Sequence, residues 1–202
     1  MLYIIIKISQ KCHRGVIFRQ EQTVIESLKA GQNNGLALLF ILDAEIRKLM
    51  IDSHTHIFPP EIIKERKKYA EKDSAFGLLY GDPDAKMITS DELVKNMESE
   101  GVDVSVACGF PWSDPRLRRV CNDYLLDGYS RFKDRIVPFL MPPLPSAGER
   151  RIRKEIERCI SGGAAGMGEV ALYTNFDSAY LKKLCELSIE FNIPVLIHAN
   201  ET

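Results

Sequence analysis

Histidine is scarce in this chain: four occur in 202 residues, His13, His54, His56 and His198. Cysteine is scarce too. The five are Cys12, Cys108, Cys121, Cys159 and Cys185, and no two are spaced C-x-x-C. An odd count without that spacing argues against a disulfide framework or a zinc finger, and reduced thiols fit a cytoplasmic protein better. No charge of one sign dominates. Lys and Arg total 27, Asp and Glu 28, for a net charge of -1. That balance gives no electrostatic ground for a DNA, RNA or anionic-membrane partner. Long apolar runs are missing as well. The stretches "MLYIIIKI" at the start and "LALLFIL" at 36–42 fall well short of the roughly 18 to 20 residues that span a bilayer. The first also lacks the basic flank and small-residue cleavage site of a signal peptide. No low-complexity tract is present.

What is present supports a packed core, since 45% of the residues are hydrophobic. Residues 1–49 mix short apolar runs with "KCHRG" and "GQNNG" without a period, and read as an atypical N-terminal extension. From Met50 the pattern becomes regular. Apolar runs at 50–54, 102–109, 135–141, 164–172 and 193–198 alternate with amphipathic stretches, which is the signature of a βαβ series.

Helix punctuation fills the gaps. Thr89 and Glu92 form a capping box, with Leu93 and Met97 on one face and Gly101 as the stop. Asp114 is placed to cap a helix that opens on Pro115. Ile152, Ile156 and Ile160 recur at helical spacing, as do Leu181, Leu184, Cys185 and Leu187/Ser188 after an Asp or Ser cap. Three of the thiols, Cys121, Cys159 and Cys185, fall in these helices, where a small buried residue is expected. Five consecutive βα units imply parallel strands with right-handed crossovers. A doubly wound sheet and a (β/α)8 barrel both satisfy that pattern.

Chemistry-bearing residues gather at the strand ends. In "IDSHTHIFPP" (51–60), His54 and His56 lie two apart, so on a strand they share a face with Cα atoms about 6 to 7 Å apart. Two neutral imidazoles at the carboxyl edge of a parallel sheet suit a divalent metal. A pair of polar residues in a strand-end loop is the plainer alternative. Asp52, on the same face, is placed either to orient an imidazole or to satisfy buried backbone. His198 ends the apolar strand "IPVLIH", and Glu169 ends the strand in "GMGEVALY". A carboxylate there needs a cation or donors, and a salt bridge to a loop would also serve. Gly163, Gly166 and Gly168 do not match G-x-G-x-x-G, so a dinucleotide site has little support. Trp112, after the second strand, reads as cover for the end of the sheet more than as a substrate contact. His13 has no such context.

"MIDSHTHIFPPEI", "GMGEVALY" and "IPVLIHANE" resemble the amidohydrolase-related branch of the amidohydrolase superfamily, over roughly residues 50–202. Those proteins are metal-dependent hydrolases and non-oxidative decarboxylases on a (β/α)8 barrel. The resemblance implies that His54, His56 and His198 bind a metal. It implies that Glu169 corresponds to the bridging glutamate of TatD-type deoxyribonucleases, and that Glu169 and His198 serve catalysis. Zinc suits the histidines, and manganese or magnesium suits a more carboxylate-rich site.

The family pattern continues with a histidine after strand six and a proton-moving aspartate after strand eight, whereas this sequence ends at Thr202. The expectation is therefore an incomplete (β/α)8 TIM barrel of about five βα units with parallel strands. Its first and last strands would be open edges, its reading frame truncated, and Met50 the family-like start. The expected activity is that of a cytoplasmic, metal-dependent hydrolase, in which metal-activated water attacks a C–N or C–O bond of a small molecule, with turnover impaired. The alternatives are a TatD-type nuclease, a decarboxylase of the same superfamily, and a non-catalytic fragment that self-associates or pairs with a second polypeptide through its open edges.

Overall fold

The computed structural model describes residues 2–6, 49–171 and 178–199. The chain divides into two compact units. One comprises Met1–Ile8 with Met50–Thr202, and the other is Ser9–Leu49. All but the last residue of that second unit lies outside the described residues, as do His13 and Cys12.

Within the first unit a strand at Ile51–His56 (β2) is followed by three short helices, Pro60–Lys64 (α1), Arg66–Lys72 (α2) and Ser74–Tyr80 (α3). The alternation then settles into helix Ser90–Glu100 (α4), strand Val104–Cys108 (β3), helix Pro115–Arg131 (α5) and strand Ile136–Leu140 (β4). Helix Glu149–Ser161 (α6), strand Gly166–Ala171 (β5), helix Ala179–Phe191 (α7) and strand Val195–Ala199 (β6) complete it. Strands β2 to β6 are parallel and lie side by side in chain order. A doubly wound sheet reverses its order at a switch point, whereas a barrel does not. The sequential order therefore identifies the architecture as the front of a (β/α)8 barrel.

The local signals act as the sequence predicts. The Thr89 side chain accepts from the Glu92 N–H while Glu92 accepts from the Thr89 N–H, and Gly101 closes α4 in the left-handed region. Asp114 caps α5 with Pro115 at its first position. Ser178 caps α7. Asn192, at φ 53°, ends that helix in the role glycine often takes.

One strand changes the expected edges. Leu2–Ile6 (β1), within the expected N-terminal extension, pairs antiparallel with β6 over five residues, from Leu2 opposite Ala199 to Ile6 opposite Val195. The β6 edge is therefore covered rather than open, which satisfies backbone groups that an edge strand would expose. Among the described residues β2 is hydrogen-bonded to a neighbour on one side only. No described helix is long and apolar enough to cross a membrane.

Two faces of the sheet are buried. On the helix side, Leu140, Ile152, Ile156, Met167, Val170 and Leu184 form the largest cluster. Ile57, Leu93, Met97, Ala107, Leu125 and Ile136 form another. On the inner side Cys108, Phe139 and Leu196 pack together. The short helices α1 to α3 close the β2 end with an aromatic group built on Phe58, Phe76, Phe110 and Trp112. Trp112 is fully buried there, its ring 4.4 Å from Phe76, and its Nε1–H donates to the Cys121 sulfur at 3.1 Å. It is cover, as its position suggested.

Phe76→Ala removes the centre of that aromatic group, and the expected loss is about 3 to 5 kcal/mol. Thr89→Ala removes one cap at a cost of about 1 kcal/mol. Urea denaturation followed by circular dichroism measures both.

Candidate metal centre

Three strands deliver the site. Regular alternation would place residues three apart on opposite faces of a strand. Met167 and Val170 nevertheless both pack in the helix-side cluster, and the β5–β6 register slips between them. This irregularity turns Glu169 to the inner side. The backbone makes room because residue 168 is glycine, at φ 138°, where a Cβ would lie 2.6 Å from the Leu196 carbonyl oxygen. The Gly168–Glu169 peptide is cis. A second irregularity lies between Asp52 and Thr55 in β2, just where the histidine pair begins.

The result is a tight set of donors. His54 Nε2 lies 3.1 Å from His56 Nε2. Glu169 Oε2 lies 3.3 Å from His56 Nε2 and 3.7 Å from His54 Nε2. One ligand atom from each of these three residues falls within 4.8 Å of the others. His198 occupies the far side of the carboxylate, with Nδ1 2.7 Å from Glu169 Oε1. The structure thus brings all four expected site residues together with unequal roles. His54, His56 and Glu169 form the close donor group, and His198 is the carboxylate's hydrogen-bond partner. Asp52 takes the second of its two expected roles, since Oδ1 accepts the backbone N–H of His54 at 3.1 Å.

Protonation follows from burial. Desolvation, followed by the neighbouring His56, holds the His54 pKa below its ordinary 6.5, so its imidazole is neutral at pH 7. Burial pushes the Glu169 carboxyl up. Hydrogen bonding to His56 and His198 and the charges of the imidazoles outweigh that, and the pKa lies below the ordinary 4.5. Glu169, only 5% exposed, is therefore an anion that faces three imidazoles. Two imidazole nitrogens converging on one carboxylate oxygen make a donor set that suits a divalent cation. The residues present fit a metal.

Sequence reasoning missed the polar ties beneath the rim. Arg118 is buried and donates to the carbonyls of Pro111, Trp112 and Pro142, joining the loops after β3 and β4. Asn122 Nδ2 donates to the Met141 carbonyl at 3.0 Å, and the Met141 N–H donates back to Asn122 Oδ1 at 2.8 Å. Both residues sit on α5 among exposed charges, where nothing in the sequence separates them from solvated neighbours. A cleft of about 800 Å³ opens beside these loops, lined by Pro111, Ser113, Arg118, Leu144 and Tyr180 among others. None of its lining residues belongs to the donor group.

No family model and no curated protein matches the chain. Solved structures do match. A 5-carboxyvanillate decarboxylase from Novosphingobium aromaticivorans, solved with manganese and a nitrobenzoic acid, aligns with a TM-score of 0.60 at 18% identity, over 75% of this chain and 51% of that one. A dihydroxybenzoic acid decarboxylase from Polaromonas, solved with manganese and 2-nitroresorcinol, gives a TM-score of 0.54 at 16% identity, over 77% and 50%. A structure described as amidohydrolase II gives 0.56 at 22% identity, over 76% and 51%. These likenesses establish the fold. The chain spans about half the length of the structures it matches.

The lowered His54 pKa has a definite consequence. Below about pH 6.5 the unfolded chain gains a proton that the folded site resists, so stability falls as pH drops through that range. Glu169 acts in the same direction at lower pH, since its contribution is present above 4.5 and is lost on further acidification. Thermal melts between pH 8 and 5 are expected to show the first decline in the wild type and a shallower one in His54→Ala. Gly168→Ala is expected to lower the melting temperature at every pH.

Proposed function

We propose that this chain carries the metal-binding half of a divalent-metal-dependent enzyme of the amidohydrolase superfamily, acting on a small organic molecule. The observation that carries the reading is the convergence of His54, His56 and Glu169 at the carboxyl edge of parallel strands, within 4.8 Å of one another. That edge is where barrel enzymes place their chemistry.

His54 and His56 would hold the cation through Nε2 and Glu169 through Oε2. A bound divalent ion supplies Lewis acidity, polarising a substrate oxygen and lowering the pKa of a coordinated water to about 7. The chain's own residues prepare for that role. The neutral His54 presents a lone pair without first losing a proton. His198 donates Nδ1–H to Glu169 Oε1, which fixes the plane of the carboxylate and leaves Oε2 directed at the imidazoles.

Hydrolysis is the first reading of the reaction. Non-oxidative decarboxylation of an aromatic acid is the second, supported by the two decarboxylases that share the fold. Those two structures contain manganese, and a carboxylate in the donor set accommodates it. Manganese therefore takes precedence over the zinc suggested by the histidines alone.

Calorimetric titration with Mn²⁺ is expected to give one site per chain. Removing a ligand by His54→Ala, His56→Ala or Glu169→Gln is expected to weaken it by more than the 10- to 100-fold or so that loss of an outer partner costs. Equal affinity in wild type and variants would remove the site. Carbon dioxide release from hydroxybenzoates, hydrolysis of small amides and cleavage of single-stranded DNA then separate the decarboxylase, hydrolase and nuclease readings.

A further inference from the structure

Asp52 accepts the backbone N–H of a residue in the donor group, at the position where the strand carrying the group breaks its ladder. Residues Ile51 and Asp52 of β2 pair with Val104 and Ser105 of β3, whereas Thr55 and His56 pair with Ala107 and Cys108. One extra residue is therefore accommodated between Asp52 and Thr55, and His54 lies inside that interval. A bulge of this kind re-aims side chains and removes backbone groups from the ladder. The Asp52 Oδ1 closes across it, accepting the His54 N–H at 3.1 Å. A short carboxylate bonding to the amide two residues on is a local alternative to ladder pairing. Strand β2 has no second neighbour among the described residues to hold it from the other side.

Resting on the metal-centre reading above, we infer that Asp52 is a positioning residue that clips the β2 bulge, so that His54 Nε2 is held beside His56 Nε2 and Glu169 Oε2. Its role is that of a hydrogen-bond acceptor for backbone. A side chain with the same acceptor and no charge performs it equally. The clip accounts for the 3.1 Å approach of the two Nε2 atoms on a strand that has one hydrogen-bonded neighbour among the described residues.

The test compares Asp52→Ala with Asp52→Asn by two measurements. Hydrogen–deuterium exchange of the His54 amide is read in metal-free protein, and Mn²⁺ affinity is read by calorimetry. Asp52→Ala is expected to speed exchange at His54 about tenfold or more and to weaken Mn²⁺ binding about 10- to 100-fold, the range for groups that orient a ligand. Asp52→Asn is expected to stay within about threefold of wild type in both. Should Asp52→Ala not fold, Asp52→Ser, whose hydroxyl makes the same turn more weakly, is expected to fall between the other two. Wild-type exchange in Asp52→Ala overturns the inference. So does an Asp52→Asn variant that loses as much as Asp52→Ala, because charge and not the backbone bond would then be at work. If wild type binds no Mn²⁺ while the exchange pattern holds, the metal reading fails and the clip stands.

Discussion

A carboxylate taken out of water must find compensation, and Glu169 is 5% exposed at the inner edge of the sheet. Its compensation is the site. Oε1 takes a hydrogen bond from His198 on β6, and Oε2 faces His56 and His54 on β2. The two histidine-bearing strands sit far apart in the sheet order, with β3, β4 and β5 between them. One buried anion therefore gathers side chains that no single pair of neighbouring strands could bring together. If Glu169 pointed to the helix side, the imidazoles would face each other across a gap and the triad would not exist.

That placement depends on small departures from regular strand geometry. Val170 belongs to the helix-side core with Met167, and the slipped register between them is what frees Glu169 to face inward. Packing and chemistry are thus linked. The apolar residues that stabilise the α6 and α7 side of the sheet also fix where the irregular segment begins and ends. Gly168 is the residue at which only a missing side chain lets β5 approach Leu196 closely enough. The rim beyond the strands is tied down from the helix layer, by Arg118 through three loop carbonyls and by Asn122 through both backbone groups of Met141.

Much of this was legible in the sequence because it rests on short-range rules. The Thr89–Glu92 box, the Asp114–Pro115 start and the glycine stop at 101 are local, and each behaves as its residue types require. The five apolar runs mark the five parallel strands, and His54, His56, Glu169 and His198 were found by their position at strand ends. The rest is non-local. A bulge adds a residue without leaving a compositional mark, so strict alternation gave no warning that Asp52 and Thr55 are out of step. His198 was expected as a ligand, and its Nδ1 bonds to Glu169 Oε1, a contact that spacing does not reveal. The pairing of "LYIII" with the last strand joins residues nearly two hundred positions apart. The helices α1 to α3 are five to seven residues long, too short for periodicity to reveal.

The claim on which all of this turns is that two imidazoles and one carboxylate, aimed inward from β2 and β5, grip a single cation. The direct measurement is an anomalous-difference map at the manganese absorption edge, from crystals of the protein grown with Mn²⁺. The account predicts one dominant peak at coordination distance, roughly 2.0 to 2.3 Å, from His54 Nε2, His56 Nε2 and Glu169 Oε2 together. A fully occupied ion elsewhere in the molecule, with the two rings turned away from Glu169, would contradict it.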